Sequence, residues 1–225
     1  MQQFVKQVFR PFFHYLSDQI GRGSAVIHVL QRYVAQVEWF DRKNLHDRFE
    51  ANRPTGEEVY NLDLQRFLFL DGGYITQAKA RSASGEADLI GGLETDDPLI
   101  CEGKLFDARG KPYLAKGFHQ VIRYAHDYNK TVAHLVVFNL TAKLLHFQSD
   151  GPAGAWAPHV EAAGVRVHLI VVRALPPAQT ASKSGKSTTV KIGRSDLTTL
   201  DDETSQGTAD DAWTFTSRPG IRSAR

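Results

Sequence analysis

The sequence predicts an α/β protein in which a sheet-forming core follows a helical preface. Two observations carry this. Apolar residues first recur at spacings of three and four, and after residue 73 they switch to short strand-like runs with one helical stretch between them. The chain has 225 residues, enough for one substantial domain with an extension.

Phe4, Val5, Val8, Phe9, Phe12, Phe13, Leu16 and Ile20 mark an amphipathic helix over residues 2–20, which Pro11 kinks or divides. Gly21-Arg22-Gly23 breaks it, and Ser24 is the N-cap expected for a second helix carrying Val26, Leu30, Tyr33, Val34, Val37 and Phe40. Residues 41–56 read as a polar connector ending in Pro54-Thr55-Gly56. Thr55 with Glu58 three positions later has the form of a capping box, so a helix is expected from there to Leu70, stopped by Asp71-Gly72-Gly73. Tyr74–Ala80, Glu86–Gly91 and Leu99–Lys104 read as three strands, and Lys116–Asp127 as a helix through Phe118, Val121, Ile122, Tyr124 and Ala125. Val132–Leu140 is an apolar run suited to a buried strand. Lys143–Gln148 and Val165–Val172 read as strands, His159–Ala163 as a helical turn, and Val190–Ile192 as one short strand. The organisation expected is an N-terminal helical extension over 1–56, a domain over 57–197, and a disordered Ser/Thr-rich tail over 198–225.

A net charge of +2 confines any nucleic-acid surface to a local patch. The single cysteine, Cys101, excludes a disulfide within the chain and predicts a reducing, cytoplasmic setting. No apolar run approaches the roughly 18 residues of a spanning helix, and the start of the chain lacks the apolar core of a signal peptide, so no membrane partner is expected.

The chemistry concentrates at Glu102-Gly103-Lys104 and at Asp88, fourteen residues before Glu102. A hairpin turning at 93–97 sets Asp88 opposite Glu102 and Glu86 opposite Lys104, with all four on one face and Leu89, Leu99 and Cys101 on the other. Opposed side chains have Cβ atoms about 5 Å apart, and two carboxylates at that distance repel by roughly 3 kcal/mol at an effective dielectric of 20. Lys104 or a divalent cation can offset this. Mg²⁺ favours one or two carboxylates with water and substrate phosphate oxygens, and Lys104 can orient or deprotonate an attacking water or stabilise transition-state charge. A lone Glu-x-Lys arises by chance in a chain of this length, and on its own it describes a solvated strand face. The Asp at hairpin distance and the following helix give it weight. In that helix Gln120 and Tyr124 share one face, and Lys116 and Arg123 are placed to meet phosphates.

With these residues in place, the segment from about 57 to 140 resembles the PD-(D/E)XK nuclease superfamily. Ala87-Asp88 stands where that family has Pro-Asp, so the proline is missing. Glu102-Gly103-Lys104 matches the (D/E)-x-K element, and Gln120-x-x-x-Tyr124 is similar to the motif of the RecB-type branch. The resemblance implies a restriction-endonuclease-like core, a central mixed β-sheet flanked by helices. It also implies a Mg²⁺-dependent deoxyribonuclease, with Mn²⁺ able to substitute, in restriction, repair or defence against foreign DNA. Asp88 and Glu102 would bind the metal, Lys104 would assist the attacking water, and Gln120, Tyr124, Lys116 and Arg123 would position substrate. An accessory acid on the first core helix would join the metal; Glu58 is the candidate, with Glu57 and Asp63 as alternatives, and Glu86 is an accessory residue of the site. Two other readings remain: a non-catalytic nucleic-acid-binding or scaffold protein that keeps the fold, and a nuclease directed at RNA. Residues 1–56 would supply a homodimer or protein-partner contact.

Other features carry less. Gly185-Lys186-Ser187-Thr188 has Thr180 where a phosphate-binding loop requires glycine. The nine histidines show no zinc spacing, and only His119 falls near the site. Trp39 and Phe40 read as packing residues, and Cys101 as a small buried hydrophobe.

Overall fold

The computed structural model describes residues 24–70, 76–152, 154–177 and 187–199. Ser24 starts helix α1, Ala25–Gln36, as its side chain predicts: its Oγ accepts from the Ile27 amide at 3.1 Å. The same hydroxyl donates to Asp97 Oδ1 at 2.6 Å, and Asp97 Oδ2 accepts from the Val26 amide at 3.0 Å. The helix start is thereby tied to the loop between the second and third strands.

A π-helical turn, Val37–Asp41, leads into α2, Arg42–Ala51. The connector expected over 41–56 is therefore largely helical. Only Leu45 of α2 is buried, which is why apolar periodicity missed it; on its surface Lys43 pairs with Asp47 at 2.6 Å. The π turn also corrects the reading of Trp39 and Phe40, which are 80% and 81% exposed. An i→i+5 turn inserts one residue and rotates the apolar stripe, so that burial passes from Val37 to Leu45 and the two rings face out. A 3₁₀ turn at Arg53–Thr55 precedes α3, Gly56–Leu70. The Thr55 hydroxyl lies 3.5 Å from Asn52 O, and Glu58 pairs with Lys79.

The strands are β1 Thr76–Ser82, β2 Gly85–Gly91, β3 Leu99–Phe106, β4 Val132–Asn139, β5 Leu144–Phe147, β6 His159–Ala162, β7 Val165–Arg173 and β8 Thr189–Ile192, with α4 Gly110–Asp127 after β3 and α5 Arg194–Thr198 last. The residues expected as a helical turn at 159–163 form a strand, antiparallel to β7. Six strands make one mixed sheet in the order β1-β2-β3-β4-β7-β6, while β5 and β8 pair as a separate parallel ribbon. The β3–α4–β4 crossover joins parallel neighbours and puts α4 on one face, where Phe118, Val121 and Ile122 pack on Ile100, Leu135 and Leu169. On the other face α1, α2 and α3 pack Leu30, Tyr33, Leu45, Tyr60 and Leu64 against Leu89, Cys101, Val136, Phe138 and Ile170. Residues 24–56 are thus part of the layer covering the domain's own sheet, and the boundary expected at 56/57 divides no core. Among the described residues no helix is long and apolar enough to cross a membrane. The helix expected over 2–20 and the tail beyond Thr199 lie outside the described residues.

The register of β2 on β3 agrees with the hairpin expectation: Leu89↔Cys101, Ile90↔Ile100 and Gly91↔Leu99. The ladder ends there, and Asp88 and Glu102 come next. On the other side, β1 pairs with β2 at Ala78↔Leu89 and Ala80↔Ala87 but skips Lys79 and Asp88, and Lys79 has φ +50°. Ala87 and Ile90 both lie under α4 while Leu89 lies on the opposite face, so alternation breaks at Asp88.

His134, His168 and His159 form a row across β4, β7 and β6, with ring centroids 5.6 and 5.5 Å apart in succession. His134 Nε2 and His168 Nδ1 are buried without a partner. Burial, then the neighbouring His168, holds His134 down at about 3; burial, then His159 and Arg166, hold His168 at about 4. Both rings fold neutral, and below the unfolded value near 6.5 the unfolded chain binds protons that the fold does not. Stability from this row is therefore lost as pH falls through 6.5, by on the order of 2 kcal/mol at pH 5 for the fully buried His134 and by less for the partly exposed His168. His134→Leu is expected to gain on wild type in melting temperature as pH drops from 7 to 5; a constant difference would contradict the neutral, buried row.

Candidate active site

All eight residues of β3 are buried, including Glu102 at 3% and Lys104 at 6% exposure. A buried ammonium must be paired. Lys104 Nζ lies 2.6 Å from Glu102 Oε1 and 3.1 Å from Glu57 Oε1, the latter from the first turn of α3. Its third neighbour is the Tyr113 ring on α4, with Nζ 5.4 Å from the centroid. The lysine stem lies across Gly117, where a Cβ would come within 2.5 Å of Lys104 Cγ.

Asp88 is half-buried beside this pair. Its Oδ2 accepts from the Gly103 amide at 2.9 Å, so a side chain takes the place of the next ladder bond between β2 and β3. Asn61 of α3 lies close enough to Asp88 to favour its charged form. Gly103 makes room for Asn61, since a Cβ there would stand 1.9 Å from Asn61 Oδ1. The glycine inside Glu-x-Lys thus serves a close approach of α3 to the strand.

Burial pushes Glu102 up to about 7; Lys104 pulls it down and Asp88 adds to the rise. Burial likewise raises Asp88, against the Gly103 amide and Lys104. For Lys104, burial favours the neutral amine, but Glu102 and Glu57 outweigh it and the ammonium is held above its ordinary value. The carboxylates around Lys104 thus favour its ammonium form, which suits orienting a water or stabilising developing charge. Tyr124 is buried, and burial followed by Glu102 and Asp88 pushes its phenol up to about 12.

A cleft of about 400 Å³ opens over Asp88, Glu57, Asn61 and Tyr113, with Arg53, Lys79 and Arg109 at its lining. Glu102 and Lys104 stand behind that lining. Glu102 Oε2 is buried with no hydrogen-bond partner, as is Gln120 Oε1. A divalent cation suits this donor set: Glu102 has a free oxygen, and Asp88 borders the cleft. Among the described residues no three His, Cys, Asp or Glu side chains gather as a metal cluster.

Of the residues singled out in the sequence, the structure brings together Asp88, Glu102 and Lys104, with Tyr124 close enough to feel both acids. Gln120 lies one turn before Tyr124 on α4. Glu58 lines the same cleft and pairs there with Lys79 at 2.9 Å, while Glu57, one residue earlier, reaches Lys104. Other expected members lie elsewhere. Asp63 accepts from Tyr33 at 3.2 Å in another part of the α1–α3 layer. Glu86 is not opposite Lys104; it lies past the break at Asp88 and pairs with Arg81 at 3.5 Å. Lys116 and Arg123 are exposed on α4. His119 lies 3.2 Å from Thr198 O, docking α4 to α5. Cys101 is fully buried and burial raises its thiol, as a packing residue requires. Asn61, Tyr113 and Gly117 escaped sequence reading; only the glycine after Glu102 hinted that another element comes close.

Comparison with models of known protein families, with curated proteins and with solved structures gives no significant match.

Gly103→Ala is expected to cost about 1–3 kcal/mol in urea unfolding, and Asn61→Ala in the same chain to recover part of it; no recovery would contradict the close approach. Because the raised Glu102 value means the fold binds a proton more tightly than the unfolded chain, its contribution is full below about 4.5 and is lost as pH rises through about 7. Glu102→Gln is therefore expected to gain on wild type, by on the order of 2 kcal/mol between pH 5 and pH 8, in unfolding without divalent ions. A gain of the opposite sign would overturn the assigned environment.

Proposed function

We propose that the protein is a metal-dependent nuclease that hydrolyses phosphodiester bonds of DNA, on a restriction-endonuclease-like core of the PD-(D/E)XK type. The observation that carries this reading is the convergence of Asp88, Glu102 and Lys104 at the end of the β2–β3 ladder, with a buried Glu102 oxygen left without a partner. The mixed sheet and the order α3, β1–β2–β3, α4, β4 agree with the pattern that the motif implies.

Asp88 and Glu102 would hold Mg²⁺ or Mn²⁺. Bound there, the ion supplies Lewis-acid activation of water and neutralisation of charge on the phosphate. The net reaction adds water to phosphorus and breaks one P–O ester bond, leaving a phosphomonoester and a hydroxyl. Lys104, held as an ammonium, stabilises the negative charge that develops on the non-bridging oxygens. Gln120 and Tyr124 bound the site from α4. Arg53, Lys79 and Arg109 at the cleft lining supply cations for neighbouring phosphates. A homodimer or partner contact through residues 1–56 would fall, among the described residues, on exposed Trp39 and Phe40.

One observation favours the rival, a non-catalytic nucleic-acid-binding protein that keeps the fold: Lys104 already satisfies Glu102 Oε1. Assays on linear, circular and single-stranded DNA and on RNA, with Mg²⁺ or Mn²⁺, separate the readings. Wild type is expected to cut DNA only with the metal, and Asp88→Ala and Lys104→Ala to lose at least about 100-fold in rate. Equal cutting by all three proteins would point to a contaminant. A thermal shift with Mn²⁺ that is lost in Asp88→Ala is expected alongside, and no shift in wild type would defeat the proposal at its first step.

A further inference from the structure

We infer that Glu57 is a positioning residue for Lys104 and not an accessory metal ligand, and that Tyr113 completes the clamp; this rests on the nuclease reading above. The position of Glu57 at the start of α3 would allow either role, so the hydrogen bonds decide. Glu57 Oε1 accepts from Lys104 Nζ at 3.1 Å, and Oε2 accepts from the Leu105 amide at 3.2 Å and from Tyr113 Oη at 2.9 Å. Both oxygens are engaged by donors, and one donor is a backbone amide of β3 itself. Glu102 offers the contrast, since its Oε2 has no partner. To ligate a cation, Glu57 would have to release the lysine or abandon Leu105 and Tyr113.

The same contacts fix the ammonium in space. Glu102 approaches it from β3, Glu57 from α3, and the Tyr113 ring from α4, while Gly117 admits the stem. Two of its three N–H donors go to carboxylates, and the Tyr113 ring covers the ammonium on its remaining side. Glu57 thus acts by holding Lys104 in place. Glu58, the neighbouring acid, points about 100° further round the helix and meets Lys79 outside the clamp.

Three measurements on the full chain test this, using Glu57→Gln, Tyr113→Phe, Lys104→Met and the Glu57→Gln/Lys104→Met double variant. In calorimetry with Mn²⁺ alone, Glu57→Gln is expected to keep affinity within threefold of wild type. In cleavage, Glu57→Gln is expected to lose at least tenfold in kcat with KM for DNA within threefold, and Tyr113→Phe to lose less. In urea unfolding, the effects of Glu57→Gln and Lys104→Met on the unfolding constant are expected to be non-additive by at least fivefold. A tenfold loss of Mn²⁺ affinity in Glu57→Gln would make Glu57 a ligand. An unchanged kcat, or additive unfolding effects, would equally overturn the clamp. Absence of metal-dependent cleavage by wild type would sink the nuclease reading itself, and the unfolding cycle would still judge whether the clamp exists.

Discussion

The burial of one ammonium, that of Lys104, is the constraint around which this protein is arranged. Taking a charge out of water costs several kcal/mol even after relaxation, and the fold tolerates it only with opposite charge at contact distance. Glu102 supplies one partner from the same strand, two residues away. Glu57 supplies the other across the interface between helix and sheet. That second contact fixes where α3 begins relative to β3, because the same carboxylate also takes the Leu105 amide and the Tyr113 hydroxyl. The layers on both faces of the sheet are therefore joined at a single charged point.

Two glycines follow from that arrangement. Gly103 lets Asn61 lie against the strand between the acid and the lysine, and Gly117 lets the lysine stem pass under α4. A side chain at Gly103 would collide with Asn61, and one at Gly117 with the stem of Lys104. The cost of this construction appears in Glu102, which folding drives toward its protonated form, and in an oxygen left without a donor. A protein optimised for stability alone would not keep two carboxylates beside each other at the end of a ladder with one oxygen orphaned. Such local conflicts are where function is sought.

Much of this was legible in the sequence. Turn residues at 93–97 and strand alternation gave the β2–β3 register, and with it the adjacency of Asp88 and Glu102. The reading stopped where alternation stopped. Lys79 at positive φ and the skipped pair opposite Asp88 separate Glu86 from Lys104, and no residue type announces that break. Glu57 and Glu58 are adjacent, so composition places an acid on the first turn of α3, but only the phase of the helix against β3 chooses between them. Helix α2 buries one side chain and has too weak a stripe to register, and the π turn rotated Trp39 and Phe40 out of a pattern that looked continuous. The strand β6 is four residues long, and its role depends on a partner, β7, that follows it in sequence.

Under the proposed function, the carboxylates at the fork between β2 and β3 bind a divalent cation beside a fixed ammonium. Anomalous diffraction from crystals grown with Mn²⁺ would locate that ion. One peak is expected beside Asp88 and Glu102, with Lys104 still in contact with Glu57. A map with no peak at that pair, or with Mn²⁺ bound only elsewhere, would contradict it.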